Sequence, residues 1–209
     1  MRSIPRSSKG HFVGELVFKR GEEDQRLGWG SFTEHDVALC FIYRPDFKDI
    51  EEQLADLPFT LPNGNPSHHY FDFRVTQKGG RKICISVKPE RIAVTYEYRA
   101  LISKVRQAAI GNICDAVATV TERNMHPVQL HNSRLFHAAR EPEPELDEAV
   151  LKELKKLSRP VSISEFLDET GISGRGFFSV ARAIRFEHVS LFTPERIQPT
   201  TLIENRTAA

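Results

Sequence analysis

Two short segments, His69-Tyr70-Phe71-Asp72-Phe73-Arg74-Val75 and Ile83-Cys84-Ile85-Ser86-Val87-Lys88-Pro89, flank the polar stretch Gln77-Lys78-Gly79-Gly80-Arg81-Lys82. The alternation on either side of a Gly-Gly turn predicts two strands paired side by side. That pairing brings Asp72 and Lys88 to one edge of a sheet. A carboxylate holds a hard divalent cation, and a neighbouring ammonium orients water or helps deprotonate it. Metal-assisted phosphodiester hydrolysis requires that combination.

The rest of the chain is read around this pair. His11 to Arg26 alternates loosely and turns through Gly21-Glu22-Glu23-Asp24, which predicts a short hairpin. Ser31-Phe32-Thr33-Glu34 fits a capping box, opening a helix that Pro45 ends. Phe47 to Phe59 has the pattern of one strand, followed by a turn at Pro62-Asn63-Gly64-Asn65-Pro66. Glu90 to Ile110 has helical spacing and stops at Gly111-Asn112. Ile113 to Val120 is strand-like, and Pro127 to Ala139 is a second amphipathic helix. The order predicts an α/β fold with a mixed-sheet core, its last strand inserted parallel because a whole helix connects it.

Glu141-Pro142-Glu143-Pro144-Glu145 has the composition of an acidic, stiffened linker. It divides the chain into residues 1–140 and 141–209. Beyond it, helices are expected over Leu146–Leu157, Glu165–Glu169 (capped by Ser162 or Ser164) and Gly174–Ile184. A two-stranded wing is expected from His188–Phe192 and Ile197–Leu202. Three helices and a hairpin predict a winged-helix-like domain. Arg175, Arg182 and Arg185 lie on or just after its third helix, with Arg175 and Arg182 on one face at i, i+7. They are candidate DNA-binding residues. Arg2, Arg6 and Lys9 form a candidate basic arm.

The net charge of +1 gives no global argument for nucleic acid, so any DNA surface must be a local patch. No apolar run approaches membrane-spanning length, and Met1 to Arg6 lacks the apolar core of a secretory signal. The three cysteines, Cys40, Cys84 and Cys114, sit far apart in apolar contexts. They are expected to be buried free thiols of a cytoplasmic protein with no membrane partner. His68 and His69, adjacent in a strand, point to opposite faces and are expected at the loop and surface. His126, His131 and His137 lack zinc spacing.

Four ordered pieces resemble the endonuclease subunit of heteromeric cut-and-paste transposases, the TnsA-like family. Ser31-Phe32-Thr33-Glu34 is similar to the family's glutamate-bearing helix start. Asp49-Ile50-Glu51-Glu52-Gln53 resembles its Ile-x-Glu-Gln strand. Phe71-Asp72-Phe73 is similar to the segment of its metal-ligand aspartate. Ile85-Ser86-Val87-Lys88-Pro89 resembles its hydrophobic-(Gln/Glu)-Val-Lys-Pro strand. Thr121-Glu122-Arg123-Asn124, followed by Asn132, also fits.

The resemblance implies a restriction-endonuclease-like PD-(D/E)xK core and a Mg2+- or Mn2+-dependent DNA endonuclease. Glu34, Asp72 and Lys88 would be catalytic. Glu34, Asp72 and the Val87 carbonyl would hold the metal, with Ser86 an additional candidate. The implied reaction nicks the 5′, non-transferred strand at double-stranded transposon ends. The implied partners are a DDE-type transposase subunit and an AAA+ ATPase regulator. The departure is Ser86, where the family has an acid or amide. Either the Val87 carbonyl and waters complete the coordination, or Glu90 or Glu52 substitutes in space, or the chain is a weakened adaptor bridging DNA, transposase and ATPase.

Overall fold

The computed structural model describes residues 13–21, 23–52, 54–172 and 174–205. Arg2, Arg6, Lys9 and Gln53 lie outside the described residues. The chain divides into two compact units, 1–126 and 127–209, and not at residue 140. Both units are mixtures of helix and strand.

In the first unit, β1 (Gly14–Arg20) and β2 (Glu23–Trp29) form the expected antiparallel hairpin, with Arg20 opposite Glu23. Gly21 takes a positive φ of 65° in the turn, which glycine adopts without a Cβ clash. Helix α1 (Phe32–Ile42) starts at Ser31, whose side chain accepts from the Glu34 N–H at 3.2 Å. Val37, Ala38, Leu39, Cys40 and Ile42 are its buried residues.

The central sheet has four strands in the order β3 (Phe47–Glu52), β6 (Phe73–Gln77), β7 (Lys82–Val87) and β8 (Ala116–Val120). β3–β6 and β6–β7 are antiparallel, while β7–β8 is parallel, as a helical crossover requires. This is a mixed sheet in an α/β fold. The predicted single strand over Phe47–Phe59 is in fact two. After β3 the chain leaves the sheet, and β4 (Leu57–Thr60) pairs with β5 (Pro66–His69) as a separate hairpin.

Helix α2 (Glu90–Ala93) and the longer α3 (Tyr96–Ala109) make the crossover. α3 buries Ile102, Val105 and Ala109, spaced to one face, against Leu57, Phe59, Cys84 and Val117. It ends before Gly111, whose φ is +80°. Strand alternation sets what each face of β7 does. Cys84 and Ser86 face α3; Ile83, Ile85 and Val87 face the side covered by α1. The three cysteines are buried and free, as expected. Burial pushes the Cys84 thiol above its ordinary pKa, so it stays protonated.

The second unit contains α4 (Pro127–Ala138), α5 (Pro144–Leu154), β9 (Val161–Ser162), α6 (Ile163–Thr170), α7 (Gly176–Arg185), β10 (Ser190–Leu191) and β11 (Leu202–Glu204). The strands pair in the order β10-β11-β9; β10 falls within the expected His188–Phe192, whereas its partner strand β11 is Leu202–Glu204 instead of Ile197–Leu202, and β9 pairs on the other side of β11. Ser162 caps α6, its hydroxyl accepting from the Glu165 N–H at 3.1 Å. Gly171 closes it at φ +68° in the left-handed region. The core joins Val150, Leu154, Ile163, Phe166, Val180 and Ile203, with Leu135 and Phe136 of α4 packed against it.

That packing explains the displaced boundary. α4, placed by its sequence position with the first domain, contributes its apolar side to the second core. Asn132 holds the segment before β11 from both sides: its Nδ2 donates to Glu195 O at 2.9 Å, and its Oδ1 accepts from the Ile197 N–H at 2.9 Å. The Glu-Pro stretch is not a linker between units but the entry to α5, with Pro144 in its first turn.

Gly176 sits where α7 meets α6. A Cβ there would stand 2.4 Å from Ile172 Cγ2 and 2.7 Å from Leu167 Cδ2. Gly176→Ala is therefore expected to destabilise the second unit by about 1–3 kcal/mol, despite alanine's better helix propensity. Urea denaturation followed by helical circular dichroism checks this; a rise in the midpoint would contradict it.

Candidate active site

Asp72 lies in the bend between β5 and β6. Its N–H donates to Ile85 O at 3.0 Å, and its Oδ2 accepts from the Val87 N–H at 2.7 Å. Lys88 follows β7 directly. Its N–H donates to Val120 O at 3.0 Å, which fastens it to β8, and its Nζ stands 3.8 Å from Asp72 Oδ2. The Asp72 side chain is 12% exposed and that of Lys88 is 32% exposed. The predicted convergence of these two charges at one sheet edge is thus present.

Asp72 Oδ1 accepts no hydrogen bond from a described residue. A half-enclosed carboxylate that keeps one oxygen unbonded, beside a strand-end backbone, is a donor set that fits a hard cation. Among the described residues no three His, Cys, Asp or Glu side chains converge as a cation cage.

Ser86 is fully buried, and its hydroxyl lies 3.0 Å from His69 Nε2. This departs from the surface position expected for His69. His68 and His69 do point to opposite sides. His68 Nδ1 pairs with Asp56 at 2.6 Å on the exposed side. His69 turns inward, and its ring meets Phe71 edge-on at 4.7 Å between centroids. Burial lowers the His69 pKa, and the Lys88 charge lowers it further, against the opposing effect of Asp72. The imidazole is therefore neutral at pH 7.

Tyr98 extends the cluster from α3. Thr95 caps that helix by accepting from the Tyr98 N–H at 3.2 Å. The Tyr98 hydroxyl lies 2.9 Å from Thr119 Oγ1 on β8. Burial raises its pKa, so it remains a phenol. The His69–Ser86 and Tyr98–Thr119 pairs stand side by side, since Ser86 and Thr119 are register partners on β7 and β8, and form a polar group near the Asp72–Lys88 edge. The sequence offered one usable signal for it: an imidazole three positions before the aspartate.

Glu34 is held elsewhere by its cap. Its Oε2 accepts from the Gly30 N–H at 2.7 Å and its Oε1 from the Ser31 hydroxyl at 3.1 Å. It makes no hydrogen bond or ion pair to Asp72 or Lys88. Glu52, one suggested stand-in for the missing ligand, ends β3, with its Oε2 buried and without a hydrogen-bond partner among the described residues; burial raises its pKa and Glu15 adds to the rise. Glu90, the other, begins α2, and its N–H donates to both Glu122 oxygens at 3.2 and 3.0 Å. Glu122 is presented by a turn in which Asn124 Oδ1 accepts from the Thr121 N–H and hydroxyl at 2.8 and 2.9 Å. An open cleft of ≈ 420 Å³ borders this corner, lined by Glu90, Tyr98, Arg99, Arg106 and Thr119, among others.

The arginines of α7 differ from expectation. Arg182 is 6% exposed, and its guanidinium is used inside the second unit. It donates to Asp147 Oδ1 from Nη2 at 2.6 Å, to Ala139 O at 3.1 Å, to Glu141 O at 2.9 Å and to Ser179 Oγ at 2.9 Å. It is not a DNA-contacting residue in this structure. Arg175 does lie toward the same acidic group, pairing with Glu143. Of the two positions on the i, i+7 face, only Arg182 is packed; the Arg175 side chain is 77% exposed. The Arg185 guanidinium stands 5.1 Å above the Phe186 ring.

Among the described residues no helix is long and apolar enough to cross a membrane. No protein-family model matches the chain, and a search of curated protein sequences finds no match.

Proposed function

We propose that this chain is a Mg2+- or Mn2+-dependent DNA endonuclease, the subunit of a cut-and-paste transposase that nicks the 5′, non-transferred strands at transposon ends. The observation that carries this reading is the Asp72–Lys88 pair at adjacent strand ends, with Asp72 anchored on the Val87 N–H. The mixed antiparallel–parallel sheet with a helical crossover after Lys88 agrees with a restriction-endonuclease-like core. The helices and three short strands of residues 127–209 agree with a winged-helix-like domain.

Asp72 and the Val87 carbonyl would hold the cation. When bound, it supplies positive charge against the scissile phosphate and makes water more acidic. Lys88, fixed through its own N–H on β8, would orient the attacking water as a charged hydrogen-bond donor and offset charge on the scissile phosphate. Double-stranded transposon ends are the substrate in this reading, and a DDE-type transposase and an AAA+ ATPase are the partners.

A second reading, the weakened adaptor, is favoured by one observation: the Glu34 carboxylate is taken up by Gly30 and Ser31 and does not reach the Asp72–Lys88 pair by any bond. Strand-by-strand mapping of nicks separates the two. The full-length protein and its cognate DDE-type transposase are incubated with end-labelled transposon-end DNA and Mg2+ or Mn2+. Nicks on the 5′ strand that vanish with Asp72→Ala are expected. A stable shared complex that yields only transposase-made 3′ nicks would move the assignment to the adaptor.

A further inference from the structure

We propose that His69 is a ligand of the divalent cation at the Asp72 site, filling the position that Ser86 is too short to reach, so that the site gains affinity for transition-metal ions relative to Mg2+. This rests on the metal-endonuclease reading above and deepens it.

The geometry starts from Ser86. Its side chain ends one bond beyond Cβ and is sealed from solvent, so it presents no carboxylate or amide oxygen at the strand end. The next polar atom outward is His69 Nε2, 3.0 Å from the hydroxyl. The imidazole therefore abuts the end of the Ser86 side chain, where a longer side chain at position 86 would meet it. It is held there on independent grounds. Its backbone is paired in β5 opposite Leu57, and Phe71 fixes the ring edge-on. Ser86, which the imidazole touches, is followed directly by Val87, whose N–H donates to Asp72 Oδ2.

The hydrogen bonding suits a metal-binding imidazole. A ligating histidine commonly donates its second ring N–H to a fixed acceptor, which selects the tautomer. With Ser86 Oγ accepting from Nε2–H, the lone pair is left on Nδ1, which makes no hydrogen bond to a described residue. Ser86 becomes the residue that orients the ligand instead of being the ligand. His69 and Asp72 supply two side chains, and backbone oxygen and water complete a six-coordinate sphere. Nitrogen in place of one oxygen disfavours Mg2+ and favours first-row transition ions.

Electron paramagnetic resonance on the full-length protein with Mn2+ tests this directly and needs no nicking activity. Bound Mn2+ is titrated, and its spin-echo modulation is searched for directly coordinated nitrogen. The wild type is expected to bind Mn2+ with a nitrogen modulation that changes on 15N-histidine labelling, and Asp72→Asn to abolish binding. His69→Gln is expected to lose the modulation and weaken Mn2+ binding about tenfold or more, narrowing the preference over Mg2+. His68→Gln should leave both unchanged. Asp72-dependent binding with no nitrogen coupling in the wild type, a result independent of how any variant folds, would overturn the role of His69 alone. Absent Mn2+ binding, or binding indifferent to Asp72, would overturn the metal site and this inference together.

Discussion

Asp72→Asn is expected to lower metal-dependent nicking roughly a thousandfold while leaving the fold in place, because the Lewis-acid contribution of a bound cation is worth several kcal/mol. Asparagine preserves the shape of the side chain and offers one oxygen to the Val87 N–H, now 2.7 Å from Oδ2. It removes the negative charge that a cation and Lys88 both require. Asp72→Ala removes the charge and the acceptor together. It leaves the Val87 N–H without a partner in a largely buried setting, a loss of about 1–3 kcal/mol of stability. The two substitutions therefore separate chemistry from scaffold: both inactive, only alanine destabilised. Trp29, the single tryptophan, lies in the same unit and its fluorescence reports that unit's unfolding. Asparagine at wild-type nicking rate would remove Asp72 from the mechanism.

The second large effect is structural. Arg182→Met is expected to destabilise the second unit by about 3–5 kcal/mol, since it strands a partly buried Asp147 and two carbonyls that the guanidinium now satisfies. Adding Asp147→Leu should recover a large part of that loss, and the double-mutant cycle measures the coupling. The pair also sets an acid limit. Burial pushes the Asp147 pKa up, but hydrogen bonds from Arg182, Ser179 and the Glu143 N–H, with the Arg182 charge, bring it below its ordinary value. A depressed folded-state pKa means that its stabilisation is complete above the ordinary carboxylate pKa of about 4 and is lost as pH falls through the lower, folded value. Wild-type stability should thus decline in that acid window, and Arg182→Met should not share that component. The second unit contains no tryptophan or tyrosine, so hydrogen exchange along α7 is the suitable readout.

Much of the first unit's core was legible from its sequence, for reasons that can be named. A Gly-Gly turn between alternating segments fixes the β6–β7 pairing, and a helix-length connection dictates the parallel β8. The Ser31–Glu34 spacing located the start of α1. The errors came from partners far away in sequence. Alternation continues from Phe47 to Phe59, and nothing local reveals that β4 departs to pair with β5. Parity put His68 and His69 on opposite faces, but burial of one of them depends on Phe71 and Ser86. The α7 arginines look like a basic stripe until Glu143 and Asp147 are brought against them, because a Glu-Pro run has the composition of a linker. For the same reason α4 was grouped with its neighbours in sequence and not with the core that its apolar side joins.

The amide of Lys88 is bonded to Val120, thirty-two positions onward by their numbers, across the parallel β7–β8 seam. An antiparallel β6–β7 hairpin closes early, because its ends are joined by a tight turn, whereas the parallel seam must wait until α2 and α3 have been laid across the sheet. A nascent chain that has emerged only as far as the hairpin carries the aspartate with its lysine still untethered. On the endonuclease reading, the Asp72–Lys88 site is completed only after the crossover has docked, and a chain interrupted before Val120 has the carboxylate in place and no fixed lysine beside it.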